Sequence, residues 1–546
     1  MIRQGLEYSE SDMHPVLVVG NGLSAMISAK TLVDLGLSVT MVKIGSEKSR
    51  LYCPSCGSDF HDYLGWVSKS MDRVEVYEFS TLPEIRRQGC YFYVDFGSGQ
   101  GDLYGCLFLA PGTELLPLAT SLPQGVQPLS SERFSGAARG IGFLLDYGCG
   151  SPPAVGMAAI LQAIENKAAG GESYVIFQHA PVAHLFGESL YDQAKRAGVQ
   201  FFRFGEKLPL VKRISGDHDG GKFEISLSDD IERGQEVILR CDKILAAQGP
   251  DPASVPAALS EILENDLDAE GFLLSDSIHC HSGRSFINGI FAVGEVTGET
   301  DLIRVAAQAA SAAVKARAWM IRASQRKDEE TISVADECVR CLTCYRICPH
   351  SAIALARGAA RSNVQISAPI CQECGICASE CPRFALDLNS YPEQKVAAFL
   401  AEMNKTSSAS VVIYGCQRSA GRAVSEIDLP PEVLFFPVPC AGRISESILW
   451  ATLAAGAAGV LAIGCHHGNC ASRTGTDWAK ARVQSFVSGP DAFNGFANKM
   501  GYATIAANEP ARLNRIIKEF CSSLDTEHPG KHSPAENANK LLRSKS

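Results

Sequence analysis

Two copies of one cysteine motif constrain this chain more than any other sequence feature. The first copy ends at Cys348-Pro349 and the second ends in the same way at Cys381-Pro382, 33 residues later. Each copy has the spacing C-x2-C-x2-C-x3-C-P. Three thiolates at steps of three residues wrap one face of an iron–sulfur cubane, and the fourth thiolate reaches the cluster of the other copy. The pattern therefore predicts a ferredoxin-type module that holds two [4Fe–4S] clusters.

The crossed arrangement assigns four cysteines to each cluster. One set is Cys338, Cys341, Cys344 and Cys381, and the other set is Cys371, Cys374, Cys377 and Cys348. Zinc or a disulfide knot is the alternative, but zinc sites pair two C-x2-C elements instead of repeating runs of four that end in proline. The chain has 20 cysteines and no signal-peptide pattern at its N-terminus. Thiolates on metal in a reducing cytoplasm are therefore favoured over disulfides.

Four further cysteines lie after predicted strands in the C-terminal part. The predicted strands and the cysteines that follow them are 411–414 with Cys416, 433–437 with Cys440, and 460–463 with Cys465 and Cys470. Loops after the strands of an open α/β sheet gather at one edge, so we expect these thiolates to converge. Four thiolates fit one [2Fe–2S] cluster, with zinc as the alternative. His466 and His467 adjoin Cys465, and their role as ligands or surface side chains stays open.

A glycine-rich turn near the start of the chain indicates a dinucleotide. It lies between a predicted strand at 15–19 and a predicted helix that runs to about Asp34. The turn residues are Gly20, Gly22, Ser24 and Ala25. Glycines there allow a pyrophosphate to approach the N-terminus of the helix closely.

A later run supports FAD over NAD. Residues 289–298, which include Gly294 and Glu295, look like the second flavin motif of two-dinucleotide-fold flavoproteins, in which an acidic residue contacts the ribitol. The segments 109–112 and 245–249, the latter ending at Gly249, resemble the connecting motifs of that fold. The unit around 173–179 has no G-x-G-x-x-G, so no NAD(P)H site is predicted.

One departure leaves a flavoprotein fold without its flavin as the alternative. The dinucleotide fingerprint expects an acidic residue at the end of the second strand, where it would bind the ribose. This chain has Lys43 at that position, with Glu47 four residues later.

Length and composition set the wider frame. A chain of 546 residues accommodates three or four domains, and a net charge of −10 without single-sign blocks argues against nucleic acid as a partner. The apolar stretch 448–464 contains Gly456 and Gly459, so we predict a buried helix and strand there and no membrane span. The predicted parts are an α/β two-dinucleotide-binding-fold domain at 1–325, the ferredoxin module at 331–390, a small α/β [2Fe–2S] domain at 395–525 and a disordered tail at 526–546.

The C-terminal motifs resemble a known family. Gly-Cys465-His-x-Gly-x-Cys470, preceded by Cys440-x-Gly-Arg443, resembles the delta subunit of methyl-viologen-reducing hydrogenase. That family carries a [2Fe–2S] cluster and passes electrons to heterodisulfide reductase. Its first site is often richer in cysteine, whereas Cys416 alone stands there in this chain.

The order of domains extends the resemblance to most of the chain. With Cys53-Pro-Ser-Cys56 after the first αβ unit, the chain resembles the HdrA flavoprotein of heterodisulfide reductase fused to that delta subunit. The fused arrangement is similar to the QmoB component of the quinone-interacting membrane-bound oxidoreductase complex. In place of the additional cluster cysteines that the HdrA family has near its flavin, this chain has only scattered ones: Cys53, Cys56, Cys90, Cys106 and Cys149. Whether they bind a further cluster stays open, and free buried cysteines are favoured.

The resemblance implies an electron-transfer subunit of a larger oxidoreductase. Its cofactors would be FAD, two [4Fe–4S] clusters and one [2Fe–2S] cluster. The expected partners are heterodisulfide reductase-like subunits, a hydrogenase or formate dehydrogenase, or a quinone-linked membrane subunit that holds the protein at the inner face of the membrane. No catalytic residue is predicted, because no nucleophile or proton-transfer pair stands near the flavin motifs. The alternative is a self-contained flavin-dependent reductase of a quinone, a disulfide or NAD(P)H.

Overall fold

A computed structural model gives the structure of most of the chain. The described residues are 13–44, 65, 67–69, 71–97, 99, 101–129, 138–183, 186–214, 222–229, 234–254, 259, 267–268, 270–274, 283–326, 330–355, 364–403, 411–487 and 498–525. The chain divides into two compact units. Unit 1 comprises Met1–Ser275, Ser282–Ser285 and Gly289–Ala318, and unit 2 comprises Asp276–His281, Phe286–Asn288 and Trp319–Ser546.

Strands predominate in the described residues up to Gln325. The elements are β1 (Val16–Val19), α1 (Leu23–Asp34), β2 (Val39–Ile44), β3 (Glu75–Phe79), β4 (Glu84–Gln88), β5 (Tyr91–Asp95), β6 (Asp102–Tyr104), β7 (Cys106–Leu109), β8 (Glu114–Leu115), β9 (Gln127–Pro128), β10 (Gly140–Leu144), α2 (Pro153–Ala168), β11 (Glu172–Phe177), α3 (Gly187–Arg196), β12 (Gln200–Arg203), β13 (Leu210–Arg213), β14 (Phe223–Asp229), β15 (Gln235–Cys241), β16 (Lys243–Ala246), β17 (Pro250–Asp251), β18 (Ile290–Ala292) and α4 (Leu302–Gln325).

The first sheet of unit 1 has the strand order of a dinucleotide-binding fold. Its strands run β18-β7-β1-β2-β3, and all of the pairings are parallel. Numbered along the chain this is the order 5-4-1-2-3, which places the β1–α1 turn at the point where the strand order reverses. The apolar run of β1 is fully buried, as expected for a central parallel strand. Helix α1 ends at Asp34, as predicted, and Gly36 turns the chain with a φ of +80°.

The second sheet of unit 1 repeats the pattern. Its strands run β12-β11-β10-β16-β9 with parallel pairing, and α2 packs on it. A three-stranded antiparallel sheet, β13-β14-β15, is added to this half, and the sequence analysis had not predicted it. Strands β16 and β18, which carry parts of the motifs at 245–249 and 289–298, belong to two different sheets. An α/β fold with two Rossmann-like sheets is therefore confirmed.

Unit 2 begins with short elements around the cysteine motifs and continues as an open α/β sheet. The elements are β19 (Ile332–Val334), α5 (Thr343–Ile347), β20 (Ile353–Leu355), β21 (Val364–Ile366), α6 (Ile376–Ser379), β22 (Leu386–Leu388), α7 (Glu393–Met403), β23 (Val411–Cys416), α8 (Ala420–Ala423), β24 (Val433–Val438), α9 (Glu446–Ala454), β25 (Gly459–Gly464), α10 (Gly475–Val487), β26 (Met500–Thr504) and α11 (Pro510–Asp525).

The sheet of unit 2 is parallel in the order β24-β23-β25-β26. Its order reverses between β23 and β25, so the loops after these two strands diverge and leave a crevice at their carboxyl ends. The apolar stretch at 448–464 forms α9 and β25, as predicted. Among the described residues, no helix combines the length and the apolar character needed to cross a bilayer. The tail at 526–546 and the finer domain bounds stay predictions, the tail because it lies outside the described residues.

Candidate functional site: three groups of cysteines and a dinucleotide-type turn

The 33-residue sequence repeat is also a repeat of backbone conformation. Positive φ angles occur at matching positions in the two copies: Arg340 (55°) and Glu373 (53°), Leu342 (61°) and Gly375 (77°), Ser351 (51°) and Phe384 (51°). Residues other than glycine adopt positive φ angles at a cost in free energy. The recurrence of these angles in both copies therefore indicates that the shape of each loop is imposed by what the loop surrounds.

The structure brings together the first predicted ligand set. Cys338, Cys341, Cys344 and Cys381 all line one cavity of about 340 Å³, part of which is open to solvent. Burial raises the pKa of Cys344 to about 11, with smaller contributions from the three neighbouring thiols. Four thiols around one space of this size suit a cubane, although cluster binding itself stays a prediction.

The second predicted set is also brought together; Cys371, Cys374 and Cys377 are buried, and Cys348 is partly exposed. Burial raises the pKa of Cys377 well above its ordinary value, and the thiols of Cys374, Cys348 and Cys371 contribute in the same direction. Thiols that are costly to ionise in a dry site are expected to need a metal to become thiolates.

Backbone N–H groups point at sulfur in both copies. The N–H of Ala352 donates to Cys348 Sγ at 3.4 Å, and that of Ala385, 33 residues later, donates to Cys381 Sγ at 3.2 Å. Hydrogen bonds to ligating sulfurs are among the determinants of cluster potential. The repeat therefore extends to the donors around each fourth cysteine.

The four C-terminal cysteines meet where the strand order of unit 2 reverses. Cys416 ends β23, and Cys465 follows β25; their sulfurs are 3.8 Å apart. Cys440 and Cys470 line the same cavity, which measures about 330 Å³, and all four side chains are buried.

Hydrogen bonds among the four thiols shift their pKa values in opposite directions. Hydrogen bonding with Cys465 lowers the pKa of Cys416, and hydrogen bonding with Cys440 lowers the pKa of Cys470. The pKa values of the partners, Cys465 and Cys440, are raised in return.

Within the described ranges, no group of three or more His, Cys, Asp or Glu side chains has the geometry to hold one metal ion.

The two histidines beside Cys465 are engaged elsewhere. His466 contacts Glu509 Oε2 through Nε2 at 2.7 Å and Thr504 Oγ1 through Nδ1 at 3.1 Å. His467 contacts Asp477 through Nδ1 at 2.8 Å. Both ring nitrogens of His466 are thus occupied by the side chains of Glu509 and Thr504, whereas the carboxylate of Asp477 holds His467 through Nδ1.

The start of α10 also belongs to the C-terminal site, which the sequence analysis missed. A Cβ at Gly475 would collide with Cys440 Sγ and lie 3.4 Å from Cys470 Sγ, so only glycine fits. The 13-residue helix therefore directs its N-terminus, the positive end of its dipole, at the thiols. No local sequence signal distinguishes this glycine from others in the chain.

The C-terminal site and the buried ferredoxin set share a wall within unit 2. Gln372 and Cys374 of the second cysteine motif line the same cavity as Cys416, Cys440, Cys465 and Cys470. The Ser472 side chain hydrogen-bonds to Cys374. Cys374 thus belongs to one predicted cluster and borders the other.

Two buried arginines join the second cysteine motif to the C-terminal sheet. Arg482 contacts Glu380 Oε1 through Nη2 at 2.6 Å and donates through Nη1 to the carbonyls of Gly442 and Ile444. Arg443, which is 4% exposed, lies against Gly375, where a Cβ would collide with it. The sequence motif contains Arg443 but does not predict its burial, and no sequence motif contains Arg482.

In unit 1, the glycine-rich turn has the features of a dinucleotide cradle. Gly20 has a φ of +139°, and a Cβ there would collide with the carbonyl of Ala110. The first turn of α1 has no side-chain cap. The Ser24 hydroxyl is buried and has no hydrogen-bond partner among the residues that the structure describes. Free N–H groups and an unpaired hydroxyl at a helix N-terminus suit a phosphate.

The second flavin motif lies against the first. A Cβ at Gly294, where φ is +82°, would collide with the Ser24 side chain. Glu295 is buried and accepts a hydrogen bond from the N–H of Thr113 at 2.7 Å. The remaining predicted residue, Gly249, lies elsewhere in unit 1, beside Gly150.

Two features depart from the usual flavin site. Lys43 forms an ion pair with Glu78 at 3.1 Å, and Glu47 lies outside the described residues. The N-terminal turn of α4 is already capped, because Asp301 accepts a hydrogen bond from the N–H of Arg304 at 2.8 Å. A dinucleotide therefore fits the β1–α1 turn, whereas at least one N–H group in the first turn of α4 is already bonded to a side chain.

The scattered cysteines of unit 1 have no common site among the described residues. Cys90 and Cys106 are buried, as expected, and Cys149 is partly exposed. Cys53 and Cys56 lie outside the described residues.

Comparison with known proteins identifies the C-terminal part. Residues 411–526 match the family model of the methyl-viologen-reducing hydrogenase delta subunit. This delta-subunit domain contains all four C-terminal cysteines, the sheet β24-β23-β25-β26 and Arg443 and Arg482. The predicted resemblance is confirmed for this segment.

The chain is also similar to HdrA proteins of heterodisulfide reductases. The HdrA protein of the ferredoxin:CoB–CoM heterodisulfide reductase of Methanosarcina mazei is 22% identical over 355 residues, which are 63% of this chain and 43% of that protein. An iron–sulfur HdrA protein of the CoB–CoM heterodisulfide reductase of Methanopyrus kandleri is 28% identical over 171 residues, 31% of this chain and 25% of that protein. The matches thus span less than half the length of these relatives.

Among solved structures, the thioredoxin reductase of Lactococcus lactis matches with a TM-score of 0.39 and 16% identity. The match covers 56% of this chain and 99% of that one. The likeness is too loose to bear on function.

Proposed function

We propose that the chain is an electron-transfer subunit of a multi-subunit oxidoreductase related to heterodisulfide reductase. It would relay electrons between FAD in unit 1 and, in unit 2, two [4Fe–4S] clusters and the [2Fe–2S] cluster of the delta-subunit domain. Clusters of these types carry single electrons, and a flavin couples one-electron to two-electron chemistry. The similarity to HdrA proteins and the match to the delta-subunit family support this function.

The shared wall at Cys374 is the observation that carries the proposal. A thiol of the second cysteine motif and the four thiols of the delta-subunit domain border one cavity, and all five are buried. Buried thiols around a common space suit a relay better than they suit two independent structural sites. Partners that bring substrate chemistry, such as a hydrogenase, a formate dehydrogenase or a quinone-linked membrane subunit, are part of this proposal.

Metal and flavin content provide the direct test. Anaerobically purified protein should contain about 10 Fe per chain, from 4 + 4 + 2 in the three proposed clusters, together with one FAD. Iron, acid-labile sulfide, zinc and flavin are measured on the same sample. About 8 Fe with one zinc per chain would contradict the [2Fe–2S] assignment but leave the two cubanes in place.

The flavin part is tested separately by Gly20→Ala. Positive-φ strain of about 1–3 kcal/mol, added to the collision with Ala110, should weaken FAD binding by roughly tenfold or more. The matched control is Gly89→Ala, because Gly89 also has a positive φ of +61° but has open space around its Cβ position. Fluorescence titration of flavin-free protein measures both affinities, and equal affinities for the two variants would argue against a cradle at Gly20.

A further inference from the structure

The internal repeat provides a comparison of two equivalent surfaces within unit 2. Subtracting 33 from the residues of the second cysteine motif gives their counterparts in the first. The second motif is covered by the delta-subunit domain. Ile376 lies against Gly442, the Ser379 hydroxyl donates to the carbonyl of Arg443 at 2.9 Å, and Glu380 is bound by Arg482.

The same face of the first motif is open. Val339, the counterpart of Gln372, is 59% exposed, and Tyr345, the counterpart of the buried Ala378, is 54% exposed. Cys341 is exposed, whereas its counterpart Cys374 is buried. Exposed large apolar side chains that lie together beside a predicted redox site indicate an interaction surface.

The charges of the two faces are opposite. The second motif presents Glu380 to the buried cation Arg482 of the delta-subunit domain. The cavity of the first set is instead lined by Arg340 and Arg383, and no carboxylate occurs among its described lining residues. Asp336 and Glu337 precede this cavity in the chain but do not line it. On a chain with a net charge of −10, such a basic rim can orient an acidic partner.

We propose that the exposed face around the first cysteine set, formed by Val339, Arg340 and Tyr345 of the first motif and by Arg383 of the second, is a docking site for a redox protein whose own cofactor is rimmed by carboxylates. This face includes the exposed counterparts of Gln372 and Ala378, and its charged groups are arginines, whereas the face that the delta-subunit domain covers carries the carboxylate of Glu380. The proposal rests on the proposed function. It adds where an external carrier binds, and it makes Cys341 the ligand nearest to that carrier.

The test uses an acidic flavodoxin as the probe and the full chain in all samples. Binding to immobilised protein is measured at low ionic strength, together with stopped-flow transfer of one electron from the dithionite-reduced chain to each oxidised flavodoxin molecule. In R340E/R383E the affinity should fall on the order of tenfold or more, because steering by complementary charges is lost. The matched control K212E/R213E changes the net charge equally on the exposed edge of β13.

Two further measurements sharpen the result. Val339→Ser should weaken binding without changing the charge, and cytochrome c, a basic carrier, should not lose affinity for R340E/R383E. Equal losses in the two double variants would overturn the proposal. So would a wild-type chain that does not bind flavodoxin. Iron content and EPR spectra of each sample report separately on whether the proposed clusters are present.

Discussion

Arg482→Met is expected to lower the free energy of unfolding of unit 2 by about 3 kcal/mol, the lower end of the range for breaking a buried ion pair, because Glu380 is partly exposed. The variant leaves the carboxylate of Glu380 without its cation and removes the donor to two buried carbonyls. Unfolding in urea is followed by the loss of cluster absorbance under anaerobic conditions.

The control for this variant is Arg422→Met in the same domain. Arg422 lies on the short helix α8 and is exposed, so its replacement should change the free energy by less than about 1 kcal/mol. If the two variants unfold at the same urea concentration, the Arg482–Glu380 pair does not hold the second cysteine motif to the delta-subunit domain.

Cys374→Ala and Cys341→Ala should have different effects although the two cysteines are equivalent in the repeat. Each variant should lose iron from its own proposed cubane. Only Cys374→Ala should also alter the EPR spectrum of the C-terminal site, because Cys374 lies in the wall of that cavity. The comparison is made on reduced samples of equal protein concentration.

The EPR spectra of the C-terminal site in the two variants distinguish coupled sites from electronically separate ones. If both variants leave the C-terminal spectrum unchanged, the two sites are electronically separate and the shared wall has no role in a relay. If both alter it, the effect comes from general destabilisation, since Cys341 does not line the C-terminal cavity.

Much of the architecture could be predicted because it follows from local patterns. The strand ends that carry Cys416, Cys440 and Cys465 were read from short apolar runs, and the structure places a strand at or before each cysteine. The grouping of the two ferredoxin sets was predicted from spacing, because a repeat of this type fixes which cysteines face one another. Ligand roles for these residues stay predictions.

The parts that were missed have two different physical causes. Strand β14 did carry a readable signal, since Phe223, Ile225 and Leu227 are buried and alternate with less buried neighbours. Arg482 carried none, because its partner Glu380 is 102 residues away and its burial depends on how two elements pack. Gly475 likewise carried no local signal, since its contact with sulfur arises only from the placement of α10.

The second cysteine motif is covered and the first is exposed, and this difference bears on the order in which the proposed clusters would be inserted. Under the proposed function, iron and sulfide would have to reach Cys371, Cys374 and Cys377 before Arg443 and Arg482 fix the delta-subunit domain against this motif, because these thiols are buried in the folded chain. The proposed site at Cys341, whose side chain is exposed, would not have this constraint. One half of the repeat would thus take up its cluster while the chain is still folding, whereas the other could be loaded, emptied and repaired in the folded protein.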